Sequence, residues 1–217
     1  MYILSFDVTS NNISICISNG DIILSQIDQK NNSNQSEFLT ILLQESLQNA
    51  NLDYKDLDLV AFTNGPASFT SVRIGYIAAK MINMCHQTPL LDISSNLAIA
   101  SDYIDTSYLK IVTALDARLG DVFFQIFDLK NGKLTENSDI IIVKIEEIEQ
   151  YLPKEEFLLV GSGKKLISDF LKDKNFNLGT KEDIIKSSNI NKIAFKYYKN
   201  EGKIPDEPIY IRQPRIG

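Results

Sequence analysis

Histidine is nearly absent from this chain of 217 residues, His86 being the only one. One imidazole excludes every metal site built on paired histidines and leaves a serine–histidine–aspartate arrangement a single possible base. Its place at the end of an apolar helix, ahead of Gln87-Thr88-Pro89, suits a C-terminal cation at least as well. Tryptophan is missing, and the two cysteines, Cys16 and Cys85, stand far apart in apolar surroundings. They read as reduced, buried thiols rather than a disulfide. No apolar run approaches a membrane span, and no hydrophobic leader with a cleavage site opens the chain, so the expected location is the cytosol with no membrane partner. Positive charge is in deficit, 22 Lys and Arg against 28 Asp and Glu for a net of −6. A chain that grips nucleic acid by itself needs clustered cations.

What is present is a core of ordinary size, 44% of residues being hydrophobic, enough for one large or two small domains. The chain is organised around Asn64–Gly75, NGPASFTSVRIG. Leu59 to Thr63 before it form a buried strand, Gly65-Pro66 breaks that strand, and Ser68 caps the helix that follows. Such a strand–turn–helix leaves backbone N–H groups pointing past the sheet edge, where α/β folds hold a phosphate or hold nothing. Arg73, a cation in the first helical turn, opposes the helix dipole and calls for an anionic partner unless solvent serves it.

From Ser71 to Cys85 only Arg73, Tyr76, Lys80 and Asn83 make a polar strip, leaving an apolar arc of roughly 240° where one core needs about 100°. Ser71, Gly75, Ala78 and Ile82 form a small-residue side, and Ile77, Met81 and Met84 face elsewhere. The helix from Ser36 to Ala50 is similarly broad, with Phe38, Ile41 and Leu42 on one side and Leu39, Leu43 and Leu47 on the other. Two burials are implied for each helix, inside the chain or against a partner.

In chain order, the strand Tyr2–Phe6 ends in Asp7, the alternating ISICIS strand follows, and Asn19-Gly20 makes a type I′ hairpin turn into Ile22–Ile27. The pattern then recurs: a strand from Lys110 ends in Asp116, Asp121–Asp128 is a strand, and Asn131-Gly132 turns into a third strand ending near Val143. We read this as an internal duplication, with the boundary between Ile104 and Leu109, giving lobes 1–106 and 107–217. Helices are expected near Ile145–Tyr151, from Gly163 through Leu171 and near Ile190–Asn200, while the proline-rich tail from Ile204 packs across a surface, the first lobe's included. Asp7 and Asp116 would face one another across the cleft between lobes, or each caps its own turn.

The segments ILSFDVTS, GPASFTSVRIG, LDARLGDVF and EPIYIR, taken together, resemble the bacterial TsaB (YeaZ-type) family over essentially the whole chain. The resemblance implies a two-lobed α/β, actin-like ATPase fold of duplicated ribonuclease H-like halves. It implies a non-catalytic dimerisation subunit, without cofactor or metal, of the complex that makes threonylcarbamoyladenosine beside the tRNA anticodon. The TsaD transferase and the TsaE ATPase would be its partners, tRNA would be met only indirectly, and the isolated protein would form a homodimer. Several positions depart from the pattern: Ala67 and Ser71 stand where the family has glycine, and Val8 where nucleotide-binding relatives have one. The region Asn34–Leu39 lacks the histidine pair that holds the transferase's metal.

The expected interface comprises Phe38, Leu39, Leu42, Leu43, Ser71, Ile74, Gly75, Ala78 and Ile82, the small-residue side being the close-contact seam. A charge at Gly75 is then expected to abolish pairing and leave the monomer folded. Asp7, Gly65, Pro66, Ser68, Arg73, Asp116 and Arg118 are expected to form a structural or vestigial cleft. The alternative is an ATP-dependent small-molecule kinase of the same fold, with Asp7 as base and the Asn64–Arg73 turn for phosphate. A protease built on Ser68 or Ser162 has no G-x-S-x-G elbow, and GSGKK at Gly161 lacks P-loop spacing. Direct tRNA contact would rest on Lys203, Arg212 and Arg215.

Overall fold

A computed structural model describes residues 1–10, 12–30 and 35–197. The described residues form two compact units, 1–98 with 184–197, and 99–183.

In the first unit β1 (Tyr2–Asp7), β2 (Asn12–Asn19) and β3 (Ile22–Lys30) make an antiparallel ribbon, followed by helix α1 (Gln35–Asn49). Then β4 (Leu59–Thr63) joins β1 in parallel, α2 (Phe69–His86) crosses back, β5 (Leu90–Ile93) joins β4 in parallel, and α3 (Ser95–Ala100) follows. The sheet order is β3-β2-β1-β4-β5. Strand alternation aims Leu4, Phe6, Ile15, Ile17 and Phe62 at one face, where they pack with Leu39, Leu43 and Leu47 of α1 and Ala79 of α2. Burying each such side chain stabilises by about 1.5–3 kcal/mol. The first hairpin differs from the expected turn. Asn19 pairs with Ile22, so Gly20 and Asp21 make the turn, and of the two only Gly20 has positive φ (64°), the type II′ pattern.

The second unit repeats the plan with β6 (Lys110–Arg118), β7 (Asp121–Lys130), β8 (Lys133–Glu136), β9 (Ile141–Lys144), β10 (Leu158–Val160), α4 (Lys164–Phe170) and β11 (Asn177–Leu178). Its order is β11-β10-β6-β7-β8, with β9 also on β7, so β6, β7, β10 and β11 occupy the places of β1, β2, β4 and β5. The expected third strand is broken into β8 and β9, and the helix expected at Ile145–Tyr151 is a 3₁₀ segment. Asn131 and Gly132 both have positive φ, as a type I′ turn requires. Helix α5 (Ser187–Tyr197), placed with the second half by the sequence reading, lies on β1, β2 and β4 of the first sheet. The tail from Ile204, the EPIYIR segment and the cations Lys203, Arg212 and Arg215 lie outside the described residues.

Candidate functional site

The end of β1 is where a nucleotide-handling fold would place a working carboxylate. Asp7 is fully buried there and ringed by donors. Its Oδ1 accepts from the Thr9 backbone N–H at 3.0 Å, from Thr9 Oγ1 at 2.6 Å and from Thr63 Oγ1. Oδ2 accepts from the Ser10 N–H at 3.3 Å and from Ser10 Oγ at 2.5 Å. Five donors on about four lone-pair sites occupy the capacity that a general base or metal ligand has to keep open. The carboxylate closes the β1–β2 turn and ties it to the end of β4. Val8, where a phosphate-crowding side chain was expected, instead points into the core under α2.

The Asn64–Ser71 turn is closed in the same way. Gly65 takes φ 85° before a cis peptide to Pro66, and its carbonyl accepts from Ser95 N at 2.7 Å. Ser68 Oγ caps α2 by accepting from Ser71 N at 3.2 Å and lies 2.8 Å from Ser71 Oγ, which donates to Gln35 Oε1 at 2.8 Å. The hydroxyls at this helix start therefore serve one another and the first residue of α1. Arg73 places its guanidinium 3.8 Å over the Phe69 ring, a cation–π contact that serves the first-turn cation. His86 stacks on Tyr54 at 5.8 Å, beyond which Gln87 ends α2 in the left-handed conformation.

In the second unit Asp116 Oδ1 accepts from Arg118 N at 2.7 Å, and the exposed Arg118 guanidinium stands 3.9 Å from Oδ2. Arg118, Leu119 and Gly120 all have positive φ, which aims the Arg118 and Leu119 side chains into solvent. A Cβ at Gly161 would lie 2.5 Å from the Ala114 carbonyl oxygen, and one at Gly163 2.9 Å from Val122 Cγ1. The glycines of GSGKK thus serve close packing of the β10–α4 turn on β6.

The helices α1 and α2 carry the other candidate site. Leu39, Leu42, Leu43, Ser71, Gly75 and Ile82, expected at a partner interface, are buried within the first unit. A Cβ on Gly75 would meet Val8 Cγ2 at 3.1 Å, with Thr63 O and Phe6 next. The small-residue seam exists, and it lets α2 approach its own sheet. The solvent-facing stripe is the other one: Ile77 is 55% exposed, Met81 60% and Met84 78%, with Phe38 at 38% and Ile41 at 61% on α1. Ile74 and Ala78 are half-buried at its margin. Cys85, expected inside, is exposed at the end of this stripe, and only Cys16 is buried.

A family model described as TsaD, tRNA N6-adenosine threonylcarbamoyltransferase, matches residues 23–201. The chain belongs to the TsaD family, as a member of the TsaB/YeaZ type. The tRNA threonylcarbamoyladenosine biosynthesis protein TsaB of Escherichia coli is 23% identical, with 98% of this chain and 95% of that protein covered. The protein of the same name from Buchnera aphidicola subsp. Schizaphis graminum is 29% identical over 76% of this chain and 80% of its own. YeaZ from Pseudomonas aeruginosa superposes with a TM-score of 0.82 at 18% identity, covering 96% of this chain and 99% of that one. The fold is therefore the duplicated, actin-like α/β architecture that the resemblance implied.

For a TsaB/YeaZ-type chain, the residues that the sequence reading did not single out are Thr9, Ser10, Thr63 and Gln35 around the two turns. Hydroxyl residues directly after a strand-terminal aspartate were the available signal. On the helices the signal was methionine. The chain has three, and two of them, Met81 and Met84, sit on the open stripe.

Proposed function

We propose that this chain is a non-catalytic subunit of the machinery that makes threonylcarbamoyladenosine in tRNA, and that it docks a TsaD-type transferase on the open stripe of α1 and α2. The observation that carries this is the Phe38, Ile41, Ile77, Met81 and Met84 surface, a run of large apolar side chains on two packed helices facing water. Large apolar side chains left exposed on packed helices are what a protein-binding surface is built from, and a pairing of standard size buries roughly 1,600 Å². The non-catalytic assignment is supported by the occupied lone pairs of Asp7 and by turn hydroxyls engaged with one another.

In this reading the same stripe pairs two copies when the transferase is absent, TsaE joins the assembled pair, and tRNA is contacted through the partner. A cytoplasmic setting suits that role, and among the described residues no helix is long and apolar enough to cross a membrane. Purified chain mixed with TsaD should elute as a 1:1 complex by light scattering, with the homodimer disappearing in step. Homodimer persisting beside free TsaD at micromolar concentrations overturns the proposal.

A further inference from the structure

Sulfur is concentrated at one end of one helix. Of the three methionines and two cysteines in the chain, Met81, Met84 and Cys85 all fall in the last two turns of α2. Their spacing of three and four residues puts them on one side of that helix. All three are exposed, Met81 by 60% and Met84 by 78%. The other two are sheltered. Cys16 is fully buried in the first sheet, and Met1 is half-buried at the first hairpin, where its carbonyl accepts from the Gly20 N–H at 2.8 Å. The remaining members of the apolar stripe, Phe38, Ile41 and Ile77, carry only hydrocarbon. A mild oxidant that reaches this surface therefore has the sulfurs as its targets.

A hydroperoxide oxidises a thioether directly. A sulfur lone pair attacks the outer peroxide oxygen, the S–O bond forms as O–O breaks, and the proton of the transferred hydroxyl goes with the departing oxygen, which leaves as water. The sulfur loses two electrons and the peroxide gains them. An open sulfur is all that the protein has to supply. The product is a different surface, because a sulfoxide oxygen is a strong acceptor, placed at Met81 one turn from Ile77. In water it is solvated at no cost to the fold. Beneath an apolar partner it loses that solvation with no donor in exchange, and one buried, unpartnered acceptor lowers affinity by about tenfold or more.

We propose that Met81 and Met84 are a modification site: a hydroperoxide oxidises both to sulfoxides in the unpaired chain, the oxidised stripe does not pair, and reduction restores it. This regulation rests on the stripe being the docking surface. Pairing and oxidation exclude one another, since a partner that covers the two sulfurs shields them. Reversal removes the oxygen as water at the expense of two thiols, which leave as a disulfide, the chemistry of methionine sulfoxide reductases.

The full chain carrying Cys85→Ser, which removes the exposed thiol, is treated with hydrogen peroxide and its oxidised sites are read by peptide mass spectrometry. Met81 and Met84 should oxidise at least about tenfold more slowly when TsaD saturates the chain, since only the unpaired fraction reacts. The doubly oxidised chain, with unchanged circular dichroism, should bind TsaD about a hundredfold more weakly, tenfold for each sulfoxide. Methionine sulfoxide reductases with dithiothreitol should restore the parent affinity. The volume-conserving double variant Met81→Leu, Met84→Leu should bind as the parent does and keep its affinity through the same peroxide treatment. An oxidised chain that binds TsaD as tightly as the parent, while Met81→Glu fails to bind, overturns the inference and leaves the docking surface standing, as does a leucine variant that peroxide weakens equally. Oxidation at the same rate with and without saturating TsaD overturns the docking surface, and the inference with it.

Discussion

Replacing Met81 by glutamate should separate the helix stripe from any partner while leaving the monomer intact. Met81 is 60% exposed and sits one turn from Ile77, with Met84 following. Full burial of a side chain of this size stabilises by about 1.5–3 kcal/mol, so covering its exposed part contributes about 1–2 kcal/mol to association. The substitution forfeits that and places a carboxylate among apolar neighbours, which costs several kcal/mol more when the charge has no partner. The sum exceeds about 4 kcal/mol, or roughly a thousandfold in dissociation constant at about 1.4 kcal/mol per decade. In the monomer the glutamate remains in water on a helix it favours, and stability should move by no more than about 0.5 kcal/mol. Sedimentation equilibrium measures the dimer constant, titration with TsaD measures the heterodimer, and urea melts check the fold. A folded Met81→Glu protein that dimerises and binds TsaD as tightly as the parent refutes the assignment of this stripe.

Gly75→Glu should instead unfold the first unit, losing at least about 3–5 kcal/mol, since a Cβ there would meet Val8 Cγ2 at 3.1 Å and the carboxylate would follow into the core. A folded monomeric Gly75→Glu protein by circular dichroism and light scattering would contradict the observed rotation of α2. Asp7→Ala should lower stability by about 3 kcal/mol by leaving the Thr9 and Ser10 N–H groups without their acceptor, and Asp7→Asn by less; denaturant melts decide, and a neutral Asp7→Ala refutes the turn-closing role. Burial, and secondarily the Asp28 carboxylate, push the Cys16 thiol up to about 12. The folded chain keeps a proton that the unfolded chain releases above its ordinary value of 9.0, so this contribution is complete below pH 9 and lost as pH rises toward 12. Unfolding free energy should fall across that window, less steeply in Cys16→Ala, and equal slopes in urea melts would refute the burial effect.

Much of the fold was legible because the signals were local. The Asp7 strand end, the Asn131-Gly132 turn, the Ser68 cap and the period of α1 and α2 each lie within a few residues of what they specify, whereas β6 runs two residues past Asp116 to Arg118. The repeat followed from the order of those signals, and β1, β2, β4 and β5 do recur as β6, β7, β10 and β11. The rotation of α2 was not legible. Both of its apolar sides satisfy the same period, and a small-residue seam serves close approach to a sheet as well as to a partner helix; only Val8 beneath Gly75 settles which. Nor was the destination of α5, since its partners Ser5, Ser14 and Ser18 lie more than 170 residues earlier and read in isolation as the polar side of an exposed hairpin.

The duplication explains why the open apolar stripe falls on the first unit. Between its third and fourth strands the first copy carries α1, of 15 residues, and after the fourth strand α2, of 18. At the matching places the second copy has a seven-residue 3₁₀ segment and the seven-residue α4. Two turns of helix offer one face, and in α4 Ile167 uses it on the core of its own unit. Four and five turns offer a second face at no loss to the first, since positions 71, 75, 79 and 82 stay on the core while 77, 81 and 84 rotate outward. Helix length is thus the property that separates the two halves. Trimming α2 to the length of α4 would remove the Met81–Met84 stripe before it touched the Val72–Gly75 contact with the sheet.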